Sequence, residues 1–289
     1  MPHLQVTWVG RVGVDEMRNI KSWPRWLVVV GLRVFFGGAI LISPARGTVD
    51  YVAPLDAADS SALEASAGGF KQYVLGQIAQ CQRASKDMRS RIAAQDLPGA
   101  QRAWRAARRG WERSEVVTRE FLPDLDGKID ARSDAERGFH AIEAKLFEAH
   151  DLQVLPAAGQ LVDDLADFER RLRATPLTAQ GLLNGTTKLA FEIGVNKAEG
   201  GESDFSGNSL AEIRNNLASI AAAYGRVFAP TIKKRDAGLA AIFSLDLDEI
   251  RGLVSSRSLE EVDRARLRSL SDWLANDLVL MDQEIGLKR

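Results

Sequence analysis

From about residue 60 to the end, the chain carries one pattern almost without relief. Ala, Leu, Arg and Glu recur at helical spacing, and β-branched alternation is scarce. The interruptions fall where Pro and Gly fall: Leu97-Pro98-Gly99, Leu122-Pro123-Asp124, Leu155-Pro156, Thr175-Pro176 and Ala229-Pro230. The pattern predicts helices over about 60–95, 99–121, 133–149, 154–173, 177–195, 208–228, 231–244 and 258–286. In the last of these, Leu267, Leu270, Trp273, Leu274, Leu278 and Met281 form one apolar stripe. Helices with short links make an all-α, up-and-down architecture. The break at Ala174-Thr175-Pro176 divides it into two four-helix bundles in tandem, about 60–175 and 176–289. Between the fifth and sixth helices lies a long glycine-rich, acidic loop, "NKAEGGESDFSGNS", Asn196 to Ser209.

The N-terminal 45 residues differ. Arg18, Lys21 and Arg25 precede an apolar run from Trp26 to Ile42, and Ser43-Pro44-Ala45 follows as a small-x-small site. That is the pattern of a cleaved export signal, so a periplasmic location is expected, with residues 46–59 as a polar lead-in. Removing the segment takes five basic and two acidic residues, leaving 33 basic against 37 acidic. A chain with no basic excess is not a phosphate-neutralising nucleic-acid binder.

Cysteine use narrows the chemistry further. Cys81 is the single cysteine of the 289 residues, so an intrachain disulfide and a thiolate metal cluster are both excluded. Its place in "IAQCQRA" is a helix interior, where it packs as a small apolar group. A bound metal would be held by His, Asp and Glu. His140 and Glu143, in "GFHAIE", share a helix face at i and i+3, and Glu112 and Glu115 repeat that spacing upstream. By themselves the two upstream glutamates, flanked by Arg108, Arg109 and Arg113, read as a solvated face. Two facing helices offering such pairs can converge on one cation, as in di-iron bundles. Asp124, Asp126 and Asp130, between them, cap the next helix or complete the coordination. Gly138 permits close approach of another backbone.

"WRAARRGWERSE", "FLPDLDGKIDAR" and "GFHAIEAKLF" resemble, in this order, the imelysin-like peptidase family, and within it the EfeO and EfeM group of bacterial periplasmic proteins. Lys197, Gly200, Glu202 and Asn216 fit the register of the family's second half. The resemblance covers most of residues 60–285. It implies two four-helix bundles, export, and a metal site around His140 and Glu143, with Glu115, Glu112 and Asp126 as further ligands. Arg108, Arg132 and Glu202 are the accompanying ligand-binding candidates. The metal implied is iron, with Zn or Ca as other divalent candidates, and the partner is an inner-membrane iron permease. The cupredoxin-like domain of longer members has no room between the expected cleavage site and the first helix.

Two other readings stand beside the uptake role. A relative binds alginate, and Arg102, Arg105, Arg108 and Arg109 form a basic strip able to pair with an anionic polysaccharide. A metallopeptidase would need His-Glu-x-x-His or its equivalent. Here His150 follows His140 by ten residues, which separates the two along a helix by about 15 Å, and no catalytic residue is assigned. Trp104 and Trp111, seven apart, are expected to pack in the core. Because a ligating imidazole must be neutral, metal binding is expected to weaken below about pH 6.

Overall fold

A computed structural model describes residues 53–287 except 201, 202 and 204. The expected export signal and Glu202 therefore lie outside the described residues. Among the described residues the chain is all helix and turn, with no strand.

Helix α1 (Ala57–Ala93) is the spine, capped by Asp56, whose side chain accepts from the Asp59 N–H. It packs along α2 (Leu97–Glu112) and α6 (Leu155–Ala174). Gly110 makes the α1–α2 approach: a Cβ there would lie 2.7 Å from the Cys81 N and the Gln77 O. Trp104, Trp111, Phe139 and Phe168 fill the space between α2 and its neighbours, all with no exposed surface, and Cys81 is likewise buried. Burial pushes the Cys81 thiol up to about 12, which makes it an inert packing group.

The second half is organised around α7 (Ala179–Val195), which packs on α11 (Arg264–Ile285), on α3 (Glu115–Phe121) and on α8 (Ser209–Ala223). Helix α10 (Ala237–Leu253) packs on α11. On α11 the predicted stripe is buried at Leu267, Leu270, Leu274, Leu278 and Met281. Trp273 departs from it: the ring is 47% exposed and stacks beneath the Arg266 guanidinium, 5.1 Å from the ring centre. The contacts α3–α7, α2–α8 and α1–α7 cross the expected bundle boundary, and the described residues cluster as one unit.

Several predicted elements differ in detail. The expected 99–121 helix divides at Arg113-Ser114, with no Pro or Gly to mark the break. Asn216 Nδ2 donates to the Glu112 carbonyl at 3.0 Å, and Ser219 Oγ donates to that of Arg113 at 2.9 Å. Side chains of α8 thus take carbonyls that the helix ladder would have used. The "PDLDGKI" stretch, which lies between two expected helices, forms a helix of its own, α4 (Pro123–Ile129), with Pro at the first helical position. The expected 133–149 helix is reduced to a 3₁₀ turn (Ser133–Ala135), α5 (Gly138–Glu143) and a π-helical turn (Ala144–Glu148). The expected 231–244 helix is two pieces, α9 (Ala229–Arg235) and α10, parted at Asp236, whose side chain caps the Leu239 N–H.

Candidate metal centre

Helix α2 runs to Glu112, breaks, and restarts at Glu115, which turns both carboxylates inward. Glu112 has no exposed surface and Glu115 is 9% exposed, so the solvated-face expectation is corrected. Gly138 starts α5 at φ 77°, and a Cβ there would meet the Ile129 and Lys128 carbonyl oxygens at 2.7 Å. Only glycine lets the backbone cross α4 that closely. The crossing brings His140 against Asp130: Nε2 lies 3.4 Å from Asp130 Oδ1, and Nδ1 lies 3.3 Å from Glu143 Oε2. The π-helical turn that follows Glu143 is a feature that often marks functional positions.

Arg108 holds this layer together. It is fully buried, and its guanidinium pairs with Glu112 one turn on, with Asp130 after α4, and with Glu212 of α8, the last at 2.9 Å. Burial opposes the charge on Arg108, but these acids outweigh it and hold the guanidinium well above its ordinary pKa. Arg108 is therefore not part of an exposed basic strip. Arg102, Arg105, Arg109 and Arg132 remain exposed, with Arg105 donating to the Ser206 carbonyl at 2.9 Å.

Lys197 enters from beyond α7 with its side chain 1% exposed. Its Nζ lies 2.9 Å from Glu112 Oε2 and 3.2 Å from Glu115 Oε2. Asn216 Nδ2 donates to the same two oxygens at 2.9 and 2.7 Å. Ser203 Oγ donates to Glu212 Oε1 at 2.6 Å, and Asn208 Nδ2 donates to it at 3.2 Å. Ser206 closes on Glu143 through its N–H at 3.0 Å and its hydroxyl at 2.6 Å.

Four buried carboxylates (Glu112, Glu115, Glu143 and Glu212) and the part-buried Asp130 thus face two cationic side chains, Arg108 and Lys197, and one imidazole. Burial would lower the His140 pKa, but the hydrogen bonds to Asp130 and Glu143 outweigh it and push the imidazole up to about 10. Burial is the largest influence on Asp130 and Glu212 and would raise both, but the opposing charges together outweigh it. Arg108, His140 and Lys197 hold Asp130 far below the carboxylate range, and Arg108 and Lys197, with the Ser203 hydrogen bond, hold Glu212 at about 2. Even with His140 protonated, carboxylates outnumber the cations within the layer, while Arg105 acts on Glu143 and Arg119 on Glu115 and Asp130 from the surface. Two buried acceptors one turn apart on α8, Glu212 Oε2 and Asn216 Oδ1, find no hydrogen-bond donor among the described residues.

The set therefore fits a hard cation in donor chemistry and in charge, though not as a finished cage. Among the described residues no group of three or more His, Cys, Asp or Glu is arranged to hold an ion as the chain stands. The carboxylates are turned onto Arg108, Lys197 and the imidazole instead. Asp126 lies to one side. It accepts from Thr118 Oγ1 at 2.5 Å and from Arg119 Nε at 3.3 Å, and burial followed by the charge of Asp130 raises its pKa. A small cleft lined by Glu115, Thr118, Arg119, Lys188 and Glu192 reaches Glu115 from outside. His150 is exposed just beyond the π-helical turn, apart from the buried layer that holds His140.

Sequence reasoning chose Glu112, Glu115, Asp126, His140 and Glu143, offered Asp130 as a helix cap or further ligand, and left Lys197, Glu212 and Asn216 without a site role. The family model described as Imelysin matches residues 68–279. The chain belongs to the imelysin family. As an imelysin it is 26% identical over 258 residues to the iron uptake system component EfeO of Escherichia coli (strain K12), covering 81% of this chain and 68% of that protein. The corresponding EfeO of Shigella flexneri matches over the same extent. A crystal structure from Parabacteroides distasonis, named as an iron-regulated protein A precursor, shares the imelysin fold at a TM-score of 0.63. It is 18% identical and covers 81% of this chain and 96% of its own. Among the described residues, no helix is long and apolar enough to cross a membrane.

Proposed function

We propose that this imelysin is an exported component of an iron uptake system, that it carries the ion as cargo in the buried carboxylate layer, and that it binds rather than cleaves. The observation that carries the reading is the charge imbalance within the layer: five carboxylates from both halves of the chain, four of them buried and Asp130 part-buried, against Arg108, Lys197 and one imidazole. Burying excess negative charge is unfavourable unless a cation completes it. Oxygen ligands with one imidazole suit iron among the first-row ions, with Zn or Ca as competitors. Glu112, Glu115, His140 and Glu143 are the proposed ligands, and the cleft lined by Glu115, Thr118 and Arg119 is the proposed entrance. An inner-membrane permease is the proposed recipient, in keeping with the similarity to EfeO.

Elemental analysis of the chain purified from the periplasm, followed by competition among iron, zinc and calcium, tests this. Iron retained at one or more ions per chain and out-competing calcium is expected. No retained ion and no saturable binding would overturn the reading.

A further inference from the structure

Arg108 and Lys197 are both buried cations, but they are held differently. Arg108 is clamped by acids from three elements, and its planar fork has one fitting orientation. Lys197 presents a point charge on a flexible four-carbon stem, from a short 3₁₀ segment (Lys197–Glu199) that ends at Gly200 with φ 85°. Its ammonium lies against two oxygens, Glu112 Oε2 and Glu115 Oε2, which also accept from Asn216 Nδ2. Those two oxygens therefore form a seat for positive charge, on the two glutamates proposed as cargo ligands.

We propose that Lys197 is an exchangeable internal counter-ion. Cargo takes the seat between Glu112 and Glu115 by displacing the ammonium, and Lys197 thereby sets both affinity and selectivity. This rests on reading the layer as a cargo site. The exchange also discriminates by charge. A monovalent ion replacing the ammonium brings no extra positive charge to an anion-rich layer, whereas a divalent ion does. Lys197 is thus a positioning and selectivity residue that keeps sodium and potassium out while holding the acids together.

The test is amine acylation of the wild-type chain, read by mass spectrometry at Lys197, during an anaerobic titration with Fe²⁺. Lys197 should be protected without metal and acylated in proportion to bound Fe²⁺, while K⁺ at equal ionic strength changes nothing. Lys197→Met should bind Fe²⁺ at least about tenfold more tightly, because the competitor is gone. Saturating Fe²⁺ with Lys197 still protected, or Lys197→Met binding no more tightly than wild type, would overturn the exchange and leave the cargo reading intact. Failure of the wild type to bind Fe²⁺ would overturn both. Should Lys197→Met not fold, the wild-type acylation pattern decides alone.

Discussion

Arg108→Met removes the guanidinium while keeping an unbranched apolar stem, so it isolates charge from packing. The loss falls on Glu112, Asp130 and Glu212, all of which stay buried. Glu212 gives a scale. Burial pushes it up, Arg108 and Lys197 pull it down, and the outcome is about 2 instead of 4.5. That depression corresponds to about 3 kcal/mol of folding stability at pH 7. Breaking a buried pair from one side independently gives about 3–5 kcal/mol. Because the folded pKa is depressed, the contribution is complete above about pH 4.5 and is lost as pH falls towards 2. Urea unfolding of wild type and Arg108→Met at pH 7 and at pH 3 measures it. The deficit should be about 3 kcal/mol or more at pH 7 and clearly smaller at pH 3. A deficit under about 1 kcal/mol at pH 7, or one unchanged by pH, would refute the argument that this guanidinium neutralises the layer.

Further outcomes follow from the same geometry. His140 is held protonated by Asp130 and Glu143, so the sequence-based limit near pH 6 moves upward. If the imidazole ligates, Fe²⁺ affinity should climb about tenfold per unit between pH 6 and 8 in wild type and stay flatter in His140→Ala, by isothermal titration. The raised pKa also stabilises the metal-free fold. That contribution is complete below about pH 6.5 and is lost as pH rises through about 10, so His140→Ala should be more destabilising at pH 6 than at pH 10 by thermal unfolding. Gly138→Ala puts a Cβ against two carbonyl oxygens at a left-handed φ, and should lower stability by about 1–3 kcal/mol and weaken iron binding together. Asn216→Asp replaces a donor shared by Glu112 and Glu115 with a third acid. It should destabilise the metal-free chain and be rescued by divalent metal, and a metal-independent loss would contradict that.

Much of the fold was legible because helical spacing and Pro-Gly punctuation are local signals. Gly138 was legible too, since a glycine beside an aromatic and a histidine signals close backbone approach. The break at Arg113-Ser114 was not, because its cause is Asn216 and Ser219, about a hundred residues away. For the same reason Glu112 and Glu115 read as a solvated face and Arg108 as part of a surface strip. Their partners Glu212, Lys197 and Asn216 are remote in sequence and near only after folding. Trp273 shows the converse: it fits the apolar stripe of its helix, yet it turns outward beneath Arg266, which is also a product of tertiary position.

The claim on which all of this turns is that the cation is held inside the layer and not on the acidic surface. Anomalous diffraction at the iron edge, from crystals grown without metal and then soaked anaerobically in Fe²⁺, locates the ion outright. The account predicts a peak between the Glu112 and Glu115 carboxylates, on the side of His140 and Glu143, with the Lys197 ammonium withdrawn. Iron found solely on exposed acids such as Asp124, with the Lys197–Glu112 pair intact, would contradict it.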